Sequence, residues 1–201
     1  VLNLYYDRDS YGYVFRFLEE GTDEVLANPV EGSALYESQV TERAKTIPGY
    51  VLVGPAQSQT IKIGTSNNER TFYYKEADVT ILYKAVTEDM GSVSLGSESI
   101  KAIQGDADGS TPTAKDGYEF KGWYKDEQCV TPVDGSWVGA DNKLTPQKEN
   151  GVYVARTYYA KFAEKEITIN YVAVGPDGAT DFGSVTPANE KVKAVTGEAQ
   201  G

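Results

Sequence analysis

Histidine is absent from this sequence of 201 residues, and cysteine occurs once. Without histidine the chain lacks the commonest general base and a common metal ligand. A single cysteine excludes an internal disulfide and any zinc site that needs several thiolates. No apolar run approaches the ~18 residues that a membrane-spanning helix needs. We therefore expect no cofactor, no metal site and no membrane insertion in this part of the chain.

Positive charge is also scarce. The sequence has 19 Lys and Arg against 30 Asp and Glu, which gives a formal net charge of −11. Affinity for nucleic acid depends largely on neutralising phosphates with cationic side chains, so nucleic acid is a poor candidate partner. Anionic lipid surfaces should also repel the chain.

Tyrosine, by contrast, is abundant, with 15 residues. Most tyrosines lie in segments that alternate apolar and polar residues and are rich in β-branched and aromatic types, a pattern typical of strands. A tyrosine on a half-buried sheet packs its ring and leaves its hydroxyl in water. The predicted strands are Val1–Tyr6, Tyr13–Leu18, Thr71–Tyr74, Val79–Tyr83, Tyr153–Phe162 and Ile167–Val174.

One helix is predicted, over Ser38–Ile47. Val40, Ala44 and Ile47 fall on one helical face, and Ser38 can act as its N-cap. The Pro48–Gly49 pair would end it. A helix this short must pack on a sheet to be stable.

Internal repetition is the most informative pattern. The segment that begins at Val79 (VTILYKAV) resembles the one that begins 88 residues later at Ile167 (ITINYVAV), and IKAIQGDADG at Ile100 resembles VKAVTGEAQG 92 residues later at Val192. The four-residue difference is expected in a loop, because loops tolerate insertions. A repeat of roughly 90 residues is therefore predicted to begin near Val79 and again near Ile167.

A fainter similarity links VLNLYYDRD at Val1 to RTFYYKEAD at Arg70. Both contain paired tyrosines followed by charged residues and a new strand. We therefore expect residues 1–10 to be the last strand of a preceding repeat, and the chain to be a piece of a longer array.

Residues 13–75 resemble the MucBP-type repeats of Gram-positive surface proteins. Glu20–Gly21 supplies the turn after the first strand, and Phe72–Tyr74 supplies the closing aromatic strand. The central T-x-x-A-x-x-I-x-G-Y pattern is formed by Thr41, Ala44, Ile47, Gly49 and Tyr50.

Residues 79–163 resemble the internalin B-type B repeat, also known as the Listeria–Bacteroides repeat. The matching residues are Gly117, Tyr118, Phe120, Gly122, Trp123 and Tyr124, and the closing Tyr159–Phe162. An insert at 137–150 departs from the family pattern and predicts an extra loop or hairpin. Trp123 and Tyr124 offer a large apolar anchor for a small core.

Both families have β-grasp-like folds, so the resemblance implies an α+β, strongly β-rich chain of tandem small β-grasp-like modules in an extended row. The predicted divisions are 1–10, 11–77, 78–165 with its inserted loop, and 166–201 as the start of a further repeat. The joints Lys75–Asp78 and Ala163–Glu166 are charged and lack flexible Gly-Ser stretches, which favours limited movement.

Candidate chemistry is sparse. Cys129 has no histidine to activate it, and adjacent Gln128 is badly placed for a thioester, so we expect a structural cysteine. Asp106, Asp108 and Gly109 are similar to the start of a calcium loop, but the expected closing glutamate falls late, at Glu119. The loop acids Asp177 and Asp181 are expected to form turns.

The acidic pairs Glu19/Glu20 and Glu88/Asp89 are adjacent, so in a strand their side chains point to opposite faces and do not converge on a substrate. An isopeptide cross-link would need a lysine buried in an apolar core, and the sequence identifies none. We therefore predict no catalytic residues and no enzyme activity.

The resemblances imply a stalk or spacer in an adhesin on the surface of a Gram-positive-type bacterium, attached to the cell wall through another region. Its partners would be neighbouring repeats of the same chain. The alternative is a module that binds mucin or other glycans through exposed aromatic residues. Trp137 is the candidate ligand-binding residue, because it lies in the insert and outside the family's core pattern.

Overall fold

A computed structural model describes residues 7–175, 178 and 183–201. Strands dominate these residues, and the structure has several small sheets. The strands are β1 (Ser10–Glu19), β2 (Val25–Leu35), β3 (Gln39–Arg43), β4 (Tyr50–Leu52), β5 (Ser58–Lys62), β6 (Glu69–Glu76), β7 (Asp78–Ala85), β8 (Gly91–Val93), β9 (Ser97–Lys101), β10 (Pro112–Ala114), β11 (Tyr118–Tyr124), β12 (Arg156–Glu164), β13 (Glu166–Asn170) and β14 (Asn189–Lys193).

The first four-stranded sheet has the order β2-β1-β6-β4. β1 forms an antiparallel hairpin with β2 and a parallel ladder with β6, in which Val14 pairs with Glu69 and Glu19 with Tyr74. The alternation of apolar and polar residues along β1 places Phe15 and Phe17 in the core. The buried core residues of this sheet are Phe15, Phe17, Ile61, Ile63, Phe72 and Tyr74.

The predicted helix over Ser38–Ile47 is wrong. Gln39–Arg43 forms β3, which pairs antiparallel with β5, so Val40 lies opposite Ile61. Val40, Ala44 and Ile47 still pack against the core, but they do so from a strand and the irregular segment that follows it. The three apolar residues are too few to distinguish the two periods, and pairing with β5 satisfies backbone groups that a helix would bond internally. The α+β prediction therefore fails on its helix.

The second four-stranded sheet has the order β11-β12-β7-β9. β12 runs parallel to β7, with Tyr158 opposite Tyr83, and antiparallel to β11. In the reverse direction this order is β9-β7-β12-β11, which corresponds to β2-β1-β6-β4 in the first sheet. In both sheets the first and last long strands lie side by side in the middle and run parallel. The buried side chains of the second sheet include Ile81, Tyr83, Trp123, Tyr158, Ala160 and Phe162.

The insert at 137–150 forms a loop closed by an isolated antiparallel bridge between Val138 and Leu144. Leu144 is fully buried, and it exchanges two backbone hydrogen bonds of 2.9 Å with buried Ser110. The insert therefore contributes to a core.

Three of the remaining predicted strands lie within β1, β6 and β7, which confirms them. Two are longer than observed, because β12 begins at Arg156 and β13 ends at Asn170. Val1–Tyr6 lies outside the described residues.

Contacts between Cα atoms divide the chain into two compact units. The first contains residues 1–79, 100–106 and 148–154, and the second contains 80–99, 107–147 and 155–201. The turn after β9, the end of the insert and the residues that follow it therefore belong to the first unit.

Across the described part of the chain, no helix has the length and apolarity needed to span a membrane.

Candidate functional site

Trp137 ends a short 3-10 helix, Gly135–Trp137. Asp134 caps this helix: its Oδ1 accepts hydrogen bonds from the backbone N–H and the hydroxyl of Ser136, at 2.9 and 2.7 Å. The backbone hydrogen bond from Ser136 is the main cause that lowers the pKa of Asp134 below its ordinary value. The local sequence thus fixes the backbone that carries the tryptophan.

The Trp137 side chain is half-buried, which is intermediate between the exposure expected for a ligand-stacking residue and the burial expected for a core residue. The ammonium of Lys125 lies 5.0 Å from the centre of its ring. A cation at that distance occupies one ring face. A sugar could stack there only after Lys125 moved, so only the opposite face and the edge of the ring are free of this cation.

Trp123, in contrast, is 3% exposed. Its Nε1–H donates to the carbonyl of Asn142 at 2.9 Å, and its ring packs edge-on against Tyr83 and Phe120. The predicted role of Trp123 as a core anchor is confirmed.

Cys129 is a half-buried free cysteine in a turn, with a positive φ of 54°. Asp126 holds this turn, because its carboxylate accepts the N–H groups of Val130 and Thr131 at 3.0 and 2.7 Å. Burial raises the pKa of the Cys129 thiol. A thiol that stays protonated is a poor nucleophile, which fits the structural interpretation of this residue.

The segment with Asp106, Asp108 and Gly109 is held by another carboxylate. Glu98 accepts hydrogen bonds from the N–H groups of Asp108 and Gly109, at 2.7 and 3.2 Å. The Asp106 and Asp108 side chains are exposed. The described residues contain no group of three or more His, Cys, Asp or Glu side chains suited to a metal ion. Asp177 and Asp181 lie outside the described residues.

The Glu98 contacts recur in the downstream segment. The Tyr83 hydroxyl donates a hydrogen bond to the Glu98 carboxylate, and the Tyr171 hydroxyl donates one to the Glu190 carboxylate. Glu190 also accepts the N–H groups of Gln200 and Gly201, as Glu98 does at the corresponding positions. These pairs are separated by the same 88 and 92 residues that relate the two sequence segments.

Lysine burial bears on the isopeptide hypothesis. The buried polar residues among those described are Asn68 and Ser110, and no described lysine is buried. None of the lysines that the structure describes therefore has the apolar, water-excluded environment that would make its amine nucleophilic.

One groove was missed by the sequence analysis. It lies in the first unit, has a volume of about 400 Å³, and is lined by Tyr11, Tyr13, Glu31, Gly32, Asn67 and Glu69, among others. Tyr11 and Tyr13 share one face of β1. The parallel pairing of β1 with β6 brings Glu69, the first residue of β6, and Asn67, in the turn before it, beside them. The tyrosine spacing was visible in the sequence, but the pairing that adds the amide and carboxylate was not.

The groove combines half-buried aromatic rings with exposed polar side chains. Tyr13 lies across Gly32, where a Cβ atom would come 2.6 Å from its Cζ. Asn68 also lines the groove, but its side chain is engaged in internal hydrogen bonds: it accepts the Gly64 N–H at 2.8 Å and donates to the carbonyls of Gly12 and Gly64. Stacking on tyrosine together with hydrogen bonds to Asn67, Glu31 and Glu69 is chemistry that suits a polyhydroxylated ligand.

No protein-family model matches this chain, and no curated protein sequence matches it.

Proposed function

We propose that this chain is a non-enzymatic repeat region of a bacterial cell-surface protein and acts as a stalk or spacer of an adhesin. The observation that carries the proposal is the parallel pairing of the first and last long strands in each four-stranded sheet. β1 pairs with β6 over Val14–Glu19, and β7 pairs with β12 over Ile81–Ala85.

Parallel pairing matters for a chain under tension. The chain enters each sheet at the start of the first strand and leaves at the end of the last strand, and these points lie at opposite ends of the parallel pair. A pulling force therefore loads the inter-strand hydrogen bonds along the strands, so that they must break together. Such bonds resist more force than those of a hairpin pulled at its open end, which break one at a time.

Other observations support a repeat array. The recurrence of the Tyr83–Glu98 contacts at Tyr171 and Glu190 is expected if the array uses one local design. The two sheets share one strand order, which supports β-grasp-like modules at 11–77 and 78–165 and a further one from 166. The net charge of −11 would keep neighbouring stalks apart.

The mechanical proposal is tested by pulling one protein in two directions. Cys129→Ser removes the native thiol, so that pulling handles attach only to introduced cysteines. Handles attached at Ser10→Cys and Lys75→Cys pull β1 and β6 in opposite directions along the strands. Handles on Ser10→Cys and Leu35→Cys peel the β1–β2 hairpin from the paired residues Ser10 and Leu35. We expect a rupture force several times higher in the first geometry. Equal forces would remove the mechanical basis of the proposal.

The cellular part of the proposal is an extracellular location, with attachment to the wall through another region. Antibodies to this chain should label intact cells, and external protease should remove the label. Labelling that required permeabilised cells would contradict it.

The alternative is a glycan-binding module, and the groove around Tyr11 and Tyr13 is the observation that favours it. The test is binding to purified mucins and a glycan panel by the chain and by Tyr13→Ala, Trp137→Ala and Tyr73→Ala variants. Tyr73 is the control, because it is a 40% exposed tyrosine of β6 that does not line the groove. Saturable binding lost with Tyr13 or Trp137 but kept without Tyr73 would make this a binding module.

A further inference from the structure

Two glycines that begin the G-Y segments each lie under a side chain from a later turn. Gly49 has a φ of +79°, and a Cβ atom there would lie 2.7 Å from Cγ1 of Ile103. Gly117 has a φ of +82°, and a Cβ atom there would lie 2.5 Å from Cγ2 of Val195. Each position therefore requires glycine for two reasons: its backbone has a positive φ, and the later side chain leaves no room for a Cβ atom.

A carboxylate beside each glycine binds the same later turn. One oxygen of Glu76 accepts the N–H groups of Ile103 and Gln104, the latter at 2.7 Å. Glu164 accepts the N–H groups of Val195 and Thr196 and the Thr196 hydroxyl, the last at 2.9 Å. The hydrogen bond from the Thr196 backbone is the main cause that lowers the pKa of Glu164 below its ordinary value.

Backbone hydrogen bonds complete each arrangement in the same way. The N–H group of Ala102 donates to the carbonyl of Ala77 at 3.0 Å, and the N–H group of Ala77 donates to the carbonyl of Gly49 at 2.8 Å. Correspondingly, the backbone N–H of Ala194 donates to the carbonyl of Lys165 at 2.9 Å, and the backbone N–H of Lys165 donates to the carbonyl of Gly117 at 2.8 Å. We name Gly49, Glu76 and Ala77 the first seat, and Gly117, Glu164 and Lys165 the second seat. The first seat and its turn lie within the first unit, and the second seat and its turn within the second unit.

We propose that the seat is a docking surface that recognises the A-[IV]-[QT]-G turn of the next repeat in the chain. The partner is that turn: Ala102–Gly105 for the first seat and Ala194–Gly197 for the second. A β-branched side chain fills the space above the glycine, and the glutamate binds the two N–H groups that follow. The inference concerns the folded chain alone and holds whether or not the chain acts as a stalk.

The start of the first sheet suggests that the charge of the seat selects the kind of turn. Tyr36 donates its N–H to Asp9 at 2.8 Å, as Ala102 does to Ala77. Arg8 occupies the position that corresponds to Glu76, and it donates to the carbonyl of Tyr36 at 3.4 Å instead of accepting from N–H groups. The turn there reads Tyr-Glu-Ser, which lacks the Ala-[IV]-[QT] pattern. A glutamate in the seat thus accompanies a turn of one kind, and an arginine a turn of another.

The proposal is tested by amide hydrogen exchange on the whole chain, resolved at single residues by NMR. Glu76→Ala should speed exchange at Ile103 and Gln104 on the order of tenfold, because hydrogen bonds to a charged acceptor are lost. Glu76→Gln, which keeps a neutral acceptor oxygen, should have a smaller effect, and Glu76→Arg an effect at least as large as that of alanine. Glu88→Ala, at an exposed loop position, is the matched control and should change neither amide.

The second seat gives the reciprocal test. Glu164→Ala should speed exchange at Val195 and Thr196 and leave Ile103 and Gln104 unchanged. Faster exchange confined to the matched turn supports the proposal. Unchanged exchange at the matched turn, or an equal increase throughout the chain, overturns it. Neither result depends on a cell-surface or glycan-binding measurement, so a failed stalk proposal would leave this test intact.

Steric fit is tested separately with a double-mutant cycle. Gly49→Ala should release the first turn, because its Cβ atom would clash with Ile103. Adding Ile103→Ala should recover part of the lost protection at Gln104, although the strain of alanine at a positive φ remains. Strictly additive effects of the two substitutions would show that Ile103 does not fill the seat, and would overturn its role in recognition.

Discussion

Phe17 and Phe72 stack across the parallel pair β1–β6, with ring centres 5.4 Å apart and planes inclined by 5°. They are also register partners, and both are almost fully buried. The contact therefore joins the first and last strands of the first sheet at the centre of its core.

Phe72→Ala should lower the free energy of unfolding of the first unit by about 3–5 kcal/mol, the usual range for a buried phenylalanine. Tyr73→Ala is the control, since the neighbouring tyrosine is 40% exposed and should have a much smaller effect. Urea denaturation followed by circular dichroism measures both. Similar losses for the two variants would show that the core is not centred on this stack.

The Glu190 network should respond to acid. The hydrogen bond from Tyr171, followed by those from Gln200 and Gly201, lowers the pKa of Glu190 below its ordinary value of 4.5. A carboxyl whose pKa is depressed in the folded state stabilises that state above the unfolded pKa, and this contribution is lost as pH falls through the folded pKa. We expect protection of the Gln200 and Gly201 amides at neutral pH and its loss in acid.

The acid response can be assigned to one residue. In Glu190→Gln the protection of these amides should be weaker at neutral pH and should no longer change in the acid range. An NMR titration in which the Glu190 carboxyl shows an ordinary pKa would contradict the prediction.

Alkaline titration should distinguish buried Tyr74 and half-buried Tyr50 from the exposed tyrosines. Burial raises the pKa of Tyr74 above its ordinary value of 10.0, and burial followed by Glu19 raises that of Tyr50. A phenol whose pKa is raised on folding stabilises the folded state fully below the unfolded pKa, and that stability is lost as pH rises through the folded pKa. Phenolate absorbance should therefore show a late fraction that coincides with unfolding.

Tyr74→Phe should reduce that late fraction. It should also destabilise the first unit by about 1 kcal/mol, because the Tyr74 hydroxyl donates to the carbonyl of Lys45 at 3.0 Å. Ionisation of every tyrosine near the ordinary value, before any unfolding, would be inconsistent with the burial of this ring.

The two tryptophans should differ in their access to quencher. Trp123 is buried, whereas Trp137 is half-buried. The Trp123→Phe and Trp137→Phe variants each retain a single tryptophan. Acrylamide should quench the fluorescence of Trp137 more efficiently than that of Trp123. Iodide should also reach Trp137, helped by the nearby positive charge of Lys125. Equal quenching in the two variants would contradict the different burial of the rings.

The sequence predicted most of the long strands because their period-two alternation is local, as in β1 and β7. It failed at Ser38–Ile47, where Val40 pairs with Ile61 on a strand that the local pattern does not identify. Long-range pairing also explains why the Tyr11–Tyr13 groove was missed. Its floor is closed by contacts such as that from Asn68 to Gly12, 56 residues apart.

The candidate residues show the same division. Trp123 could be expected in the core because its large apolar ring offers an anchor for a small core, even though β11 has a register shift between Phe120 and Gly122. The position of Trp137 depends on how the insert returns through Leu144 and on where Lys125 lies, and neither follows from its neighbours in sequence. The repeat spacing was readable, but the roles of Glu76 and Glu164 required the turns that they bind.

The contacts of the seat cross the boundary of the predicted sequence repeat. Gly49 and Glu76 precede Val79, where a repeat is predicted to begin, but the residues that contact them, Ile103 and Gln104, follow it. If the chain is part of a repeat array, duplication of a whole repeat would copy a seat and a turn together, so the array could lengthen without new compensating substitutions. Conversely, genetic variation at one seat is expected to be matched by variation in its neighbour's turn, across the boundary between repeats.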